Sequence, residues 1–421
     1  MKRLFLMCAC VVLLAACEKE PLNIEVQTDL QSEESLEAVI NNRVSQGVAV
    51  ERAIAAINGL KERAATRAAA LKVANMRVVG SQMAATRSGD AIDTLFYLIN
   101  FEDEQGFALV AADERNTDVF MMAEEGSLDL DNLESESPIN FFLDCATAFA
   151  TYELANAPRG FGDIILDLDT TMIEPGTPRD YPLIEYDGVL YHCKSESQTY
   201  TFSSYTTTQW HQGSPYNQRC YTEDGQRAVA GCVAIAMAQI MAYHQHPATY
   251  NWEAMLISPT VSSFYFAGVD AVSTLVADIG EAVDMDYGVN ASGSNIGNAL
   301  LGFLLSFDYA VGGIQNYDVE TVLNNIRLQQ PVYIRGESQI SDSGHAWVVD
   351  GVTYDIHKRT YYDRETLLPV IYTTSPPQHY QVRNNVGWSG YAPIWTASGM
   401  FEYYGANYSS NVKIIDSVRP R

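Results

Sequence analysis

The sequence predicts an α+β protein in two parts: a small α+β unit, then a larger one with its helices first and an antiparallel sheet second. Three observations carry this. The 421 residues exceed what one ordinary hydrophobic core serves, and 47% of them are apolar, enough for cores of normal size. Between Ala157 and Pro182 the composition changes, as Pro158, Gly160, Gly162, Pro175, Gly176, Pro178 and Pro182 punctuate a stretch rich in acidic residues and threonine. Such a stretch reads as a linker. Beyond it, apolar helical runs precede short segments of β-branched and aromatic residues, the order expected of an α+β domain.

The first twenty residues, MKRLFLMCACVVLLAACEKE, place basic Lys2 and Arg3 before the apolar run Leu4–Leu14. That is the pattern of a signal peptide, too short to span a membrane comfortably. Leu14-Ala15-Ala16-Cys17 resembles the bacterial lipobox, which implies a signal over residues 1–17, a lipid on Cys17 and an exported lipoprotein at the outer membrane or cell surface. Cleavage at an ordinary Ala-x-Ala-like site is the alternative. No later stretch is apolar and long enough for a membrane helix. The formal net charge of −26 excludes nucleic acid as an expected partner, because phosphates are repelled. Export leaves Cys145, Cys193, Cys220 and Cys232 outside the cytosol. Four cysteines in so long a chain are not a disulfide scaffold, although Cys193 and Cys220 remain a candidate pair.

In the first part, residues 18–190, Glu18–Glu34 is a polar tether. Leu36–Val79 carries Leu36, Val39 and Ile40, then Val50, Ile54 and Ile57, at the spacing of amphipathic helices. A turn at Arg87–Asp90 precedes two strands, Thr94–Asn100 and Gly106–Ala112, expected to form a hairpin. Pro138–Leu154 reads as a helix. No histidine precedes His192, so this part alone supplies no Cys–His pair. Arg159, Arg179 and Lys194 are candidate points of proteolytic processing.

The second part, residues 191–421, is organised around Arg227–Pro247, RAVAGCVAIAMAQIMAYHQHP. It is apolar nearly all round, as a buried helix is, and Pro247 fits a stop beyond its end. Cys232 falls at the first turn, where unpaired N–H groups and the helix dipole favour a thiolate. A cysteine in apolar surroundings is more often a small hydrophobe, so the rest of the chain must supply a base. Val272–Val283 and Ile296–Leu304 read as helices. Val332–Arg335, Ala346–Val349, Thr360–Tyr362, Val370–Tyr372, Tyr380–Val382 and Phe401–Tyr404 read as strands. His345 enters the second of these strands, which is expected to end in an Asp350-Gly351 turn. Alternation places His345, Trp347 and Val349 on one face and Ala346, Val348 and Asp350 on the other.

A cysteine and a histidine from separate halves of one domain can form a thiolate–imidazolium pair, the histidine accepting the thiol proton and returning it to the leaving amine. Asn384 or Asn385 is a candidate to orient the imidazole, and Gln212 a candidate oxyanion donor. A zinc site from Cys220, Cys232, His244 and His246 fits no compact finger spacing. The chain holds no Gly-x-Ser-x-Gly elbow, no His-Glu-x-x-His and no Walker-type loop.

Several segments in order resemble the streptopain family of papain-like cysteine peptidases. They are Trp210-x-Gln212-x-x-Pro215-Tyr216-Asn217, Gly231-Cys232-Val233-Ala234 with Ala238–His244, Asp284–Gly288 with Ser292-Gly293-Ser294, and Gly344-His345-Ala346-x-Val348-x-Asp350-Gly351. Asn100–Asp103 and Gly106–Asp113 resemble the family's inhibitory prosegment. The resemblance implies a papain-like domain behind an inhibitory prodomain, made as a zymogen that cuts proteins or peptides. It implies Cys232 as nucleophile, His345 as base and acid, Gln212 as oxyanion donor and Asn385 as orienter. It implies no metal or organic cofactor, and a preference for apolar residues just N-terminal to the scissile residue. Two departures stand out. Val386 occupies a position where the family has tryptophan, and Lys358–Pro377 lengthens the segment between His345 and Asn385. They keep a second reading open, a catalytically impaired surface lipoprotein that uses the fold for binding.

Overall fold

The computed structural model describes residues 42–63, 71–80, 94–134, 137–156, 177–338, 344–388, 392–402 and 411–421. The signal, Cys17, the tether, the Arg87–Asp90 turn, Arg159 and most of the linker lie outside these residues.

The N-terminal unit runs α1 (Gln46–Arg63), β1 (Val73–Gly80), β2 (Thr94–Phe101), β3 (Phe107–Ala111), β4 (Val119–Ala123) and α2 (Pro138–Asn156). The four strands pair antiparallel in chain order, with β2 and β3 forming the expected hairpin. Their continuous apolar runs are explained by burial on both faces. Ala49, Ala53 and Ile57 of α1 cover Tyr97, Ile99 and Val110, while Phe142 and Cys145 of α2 cluster with Phe96, Leu98 and Phe120. Gly106 is required after the hairpin turn: its φ is +109°, and a Cβ there would lie 2.1 Å from the Ala123 carbonyl oxygen. The C-terminal part of the expected helical stretch is instead β1, whose Met76–Val79 pair with Tyr97–Ile99 and Phe96. Pairing to a strong neighbouring strand overrides local helix preference there.

The second unit continues with β5 (Leu183–Tyr186), β6 (Val189–Ser203), α3 (Cys232–His244), the single turn α4 (Trp252–Met255), α5 (Phe266–Ala282), α6 (Ile296–Leu301), β7 (Tyr309–Ala310), β8 (Gly313–Asn316) and α7 (Val319–Arg327). The chain then gives β9 (Val332–Glu337), β10 (Gly344–Tyr362), β11 (Pro369–Thr374), β12 (Gln378–Asn385), β13 (Ile394–Ala397), β14 (Lys413–Asp416) and β15 (Arg419–Pro420). Helix α3 is buried from Val233 to Ala242, as its all-round apolar pattern predicts.

Four expectations are corrected. Asp350-Gly351 is not a turn, because β10 runs straight through it for 19 residues. The Asp350 carboxylate is wholly buried but satisfied: Arg383 donates two bonds at 2.7 and 2.8 Å, and Thr206 donates through its backbone N–H and its hydroxyl. Those partners come from distant sequence, so the local turn signal loses. The added segment Lys358–Pro377 therefore extends β10 and forms β11; β6 braces its first part by pairing with β10 from Gly351 to Tyr362, and β11 pairs back on β10. The boundary drawn between residues 190 and 191 falls inside β6, and Lys194 is paired there opposite Thr360. Arg179 sits in a short 3-10 turn. Phe401 ends a 3-10 turn rather than opening a strand, with its ring against Phe142 and Trp347; Tyr403 and Tyr404 lie outside the described residues. Finally, Cys193 and Cys220 are both free and buried, so they do not pair.

One sheet joins the two units, in the order β1-β2-β3-β4-β13-β12-β10-β9-β14-β8. The join is β4 against β13, with Met122 opposite Trp395. Residues 44–421 form one compact unit. The sheet separates two cores. On one side, α3 and α5 pack on Tyr333, Ala346 and Val348; on the other, α2 and α7 pack on Ile334, Trp347 and Val349. Among the described residues no helix is long and apolar enough to cross a membrane.

Candidate active site

Cys232 is the first residue of α3, and the residue before it must be glycine. Gly231 has φ +86°, and a Cβ would approach the Met285 sulfur to 2.7 Å. The half-buried thiol borders a cavity of about 330 Å³, walled by Tyr287, Ser292, Gly293, Arg335 and His345 among others. The wall formed by residues 285–294 is held by paired backbone bonds between Asp286 and Gly293, and by Ser292, whose hydroxyl donates to the Val229 carbonyl at 2.8 Å. Gln212 lies beside the nucleophile segment, its carbonyl accepting from the Ala230 N–H at 2.9 Å. Gln239 of α3 fixes the same segment: its fully buried side-chain oxygen accepts from the Trp210 N–H and the Thr208 hydroxyl, each at 3.2 Å.

The structure puts the thiol and the imidazole on opposite sides of β10. Ala346 faces α3, and its backbone N–H is the hydrogen-bond partner of the Cys232 sulfur. Burial nevertheless pushes the thiol above its ordinary value, with the Ala346 N–H and the Arg335 charge opposing it. His345 turns the other way, stacked along Trp347 with Trp388 edge-on to the ring. Its Nε2–H donates to the Val386 carbonyl at 2.6 Å, which fixes the tautomer, since a carbonyl only accepts. Burial lowers this imidazole to about 4. At neutral pH both partners are therefore uncharged, and each has a backbone partner instead of the other. The expected thiolate–imidazolium pair is not formed in this arrangement.

The asparagines explain why. Asn385 donates to the Thr206 hydroxyl at 2.8 Å and to the Thr208 carbonyl at 2.6 Å, on the α3 side and away from His345. Asn384 accepts from the Trp347 indole at 2.8 Å and donates to Val382, Ile394 and Thr396, as a strut between β12 and β13. Among the described residues neither is hydrogen-bonded to His345. Behind the imidazole stands α2 of the N-terminal unit: Phe141 and Phe142 lie 5.5 and 5.3 Å from the Trp347 ring, and Phe141 packs on Gly336, the register partner of His345. Val386 is buried in that same core.

Sequence reasoning passed over Thr206, Thr208, the Asp350–Arg383 pair, the Ala346 N–H and Arg335. The Thr206-Thr207-Thr208 run carried the only local signal, a polar triplet just ahead of an apolar tryptophan. Among the described residues no cluster of His, Cys, Asp or Glu could hold a metal ion.

Comparison with known proteins places the chain by family and fold. The Peptidase C10 family model matches residues 210–249 and 248–395. The Spi protease inhibitor model matches residues 41–148. The chain is similar to streptopain of Streptococcus pyogenes serotype M1, 24% identical over 352 residues, which are 70% of this chain and 77% of that protein. A second Streptococcus pyogenes streptopain matches to the same extent. The solved structure of a Prevotella intermedia prointerpain A fragment superposes with a TM-score of 0.53 at 19% identity, covering 84% of this chain and 100% of the fragment. That last likeness is one of fold.

Proposed function

The chain belongs to the peptidase C10 family and carries an inhibitor-type prosegment, and from that premise we propose that it is a cysteine endopeptidase made as a latent zymogen. The observation that carries the proposal is Cys232 at the head of a buried helix, beside a cavity that His345 also borders. In the active form, His345 leaves its place beside Trp347 and meets the thiol across β10. Proton transfer gives thiolate and imidazolium. The sulfur attacks a peptide carbonyl, and the oxyanion is held by the Cys232 N–H and the Gln212 side chain. His345 protonates the leaving amine, and water then hydrolyses the thioester. Asn385 becomes the orienter once His345 reaches its side of the strand. The N-terminal unit, by packing α2 behind Trp347 and joining its sheet at β4–β13, holds the latent arrangement. Export and anchoring through a lipid on Cys17 complete the reading.

Mass spectrometry of the chain lacking residues 1–17, with and without an irreversible thiol-directed peptidase inhibitor, tests it. The expected outcome is self-cleavage that removes the N-terminal unit, with the adduct on Cys232. Cys232→Ala is expected to lose activity by a factor on the order of 10⁵ while keeping its melting temperature. Substantial peptidase activity in that variant defeats the assignment. Val386 in place of the family's tryptophan favours a second reading, a binding protein on the same fold. An intact chain with Cys232 unlabelled, even after an added protease removes the N-terminal unit, would favour it.

A further inference from the structure

The cavity beside Cys232 carries a group that the peptide-bond chemistry leaves unused. Most of its lining is small, including Gly288, Ala291, Ser292 and Gly293, and among the described residues Arg335 is the one cation in it. Arg335 stands on β9 directly opposite Ala346, whose N–H reaches the thiol, so guanidinium and sulfur share one wall. The chain as a whole has 52 acidic residues against 26 basic ones, so a cation beside the nucleophile runs against the prevailing charge. Its partner is Glu337, two residues along the same strand, with 48% of its side chain exposed. An ion pair with so exposed a partner is weak and easily exchanged. The acid in the cavity wall itself is Asp286, which is exposed and fixed by its backbone to Gly293.

Resting on the peptidase reading above, we propose that this cavity receives an acidic side chain of the substrate, a glutamate in the first instance, and that Arg335 is the specificity-determining residue. A carboxylate entering between the small residues replaces Glu337 as the partner of the guanidinium. That planar, permanently charged fork matches a carboxylate with two parallel bonds. About 330 Å³ accommodates such a side chain without rearranging the wall, and the wall is held in place by Ser292 and the Asp286–Gly293 bonds. The choice departs from the apolar preference that family resemblance implies.

The test uses peptidyl electrophiles that label the thiol, identical except for Glu, Gln, Leu or Lys just N-terminal to the reacting residue. The rate of adduct formation on Cys232 is measured by mass spectrometry on the whole chain, before and after nicking by an added protease. The Glu probe is expected to label about tenfold faster than the Gln probe, the worth of one charge-assisted contact. In Arg335→Gln that Glu-to-Gln ratio falls to near one, and in Arg335→Glu the order turns towards the Lys probe. Arg335→Lys keeps part of the ratio and serves if the Gln variant folds poorly. A wild-type chain that takes Leu or Gln as fast as Glu, or a ratio unmoved by Arg335→Gln, overturns the proposal. Failure of every probe while iodoacetamide still alkylates Cys232 defeats the peptidase reading itself, and this inference with it.

Discussion

The two faces of strand β10 differ in what covers them: one meets the Cys232 helix, the other α2 of the prosegment. On the α3 side, Ala346 presents its N–H to the thiol, Val348 packs in the helical core, and Asp350 is locked by Arg383 and Thr206. On the α2 side, His345 is clasped by Trp347, Trp388 and the Val386 carbonyl, with two phenylalanines of the prosegment behind. Both faces are well packed, with Val348 buried on one and Trp347 on the other. What differs is which side the imidazole occupies. On the reading proposed above, latency is a choice between two sides of one strand, held by prosegment packing.

The largest effect lies on the α3 face. Asp350 is wholly buried, and removing its carboxylate leaves the Arg383 guanidinium without its charge partner in the interior. Asp350→Ala is expected to destabilise the chain by about 3–5 kcal/mol, read by urea denaturation. The Tyr205 ring under Arg383, 4.4 Å from its centroid, recovers little of this. A loss below about 1 kcal/mol would break the claim that this face is rigidly set.

The α2 face has a smaller signature, and it depends on pH. Burial holds the imidazole at about 4 against an ordinary 6.5, with the bond to Val386 opposing. The folded value lies below the unfolded one, so the clasp is fully stabilising above pH 6.5. Its stabilisation is lost as pH falls from 6.5 towards 4, because the released ring takes up the proton first. The span corresponds to about 3 kcal/mol. In a Cys232→Ala chain, which cannot process itself, the His345 ring signals in NMR should titrate near 4. After an added protease removes the prosegment they should titrate near 6.5. The same value in both forms would mean that the prosegment does not set the position of the imidazole.

The parts of this fold that could be read from sequence were those whose partners are close in the chain. The buried helix after Gly231, the hairpin of β2 and β3, and the alternation of β10 all follow from local periodicity. Alternation even separated His345 from Ala346 and Asp350, although nothing local showed that Cys232 belonged with the latter pair. The rest depended on residues far apart. Asp350-Gly351 looks like a turn until Thr206 and Arg383 are brought to it. Asn385 is an orienter by motif, yet Thr206 and Thr208 hold it elsewhere. Sequence likewise split the chain in two, because the β4–β13 pairing that joins the halves links residues more than two hundred and fifty positions apart.

Gly336 gives the finest test of the two faces, because it touches only the inhibitory one. It sits opposite His345 in the β9–β10 register, and a Cβ on it would fall 2.3 Å from the tip of the buried Phe141 ring. Gly336→Ala therefore forces α2 of the prosegment away from the sheet, while Tyr333 and Arg335, on the other face of β9, are not touched by the new methyl. Overpacking of this kind costs about 1–3 kcal/mol, and here the cost falls on the docked prosegment. Self-processing, followed by loss of the full-length band, should be roughly tenfold faster than in the parent chain. Phe141→Ala in the same chain makes room for the methyl, so the two substitutions should be coupled by more than about 0.5 kcal/mol. A Gly336→Ala chain that processes no faster, or a pair of substitutions that simply add, would show that α2 is not what keeps His345 on the far side of β10.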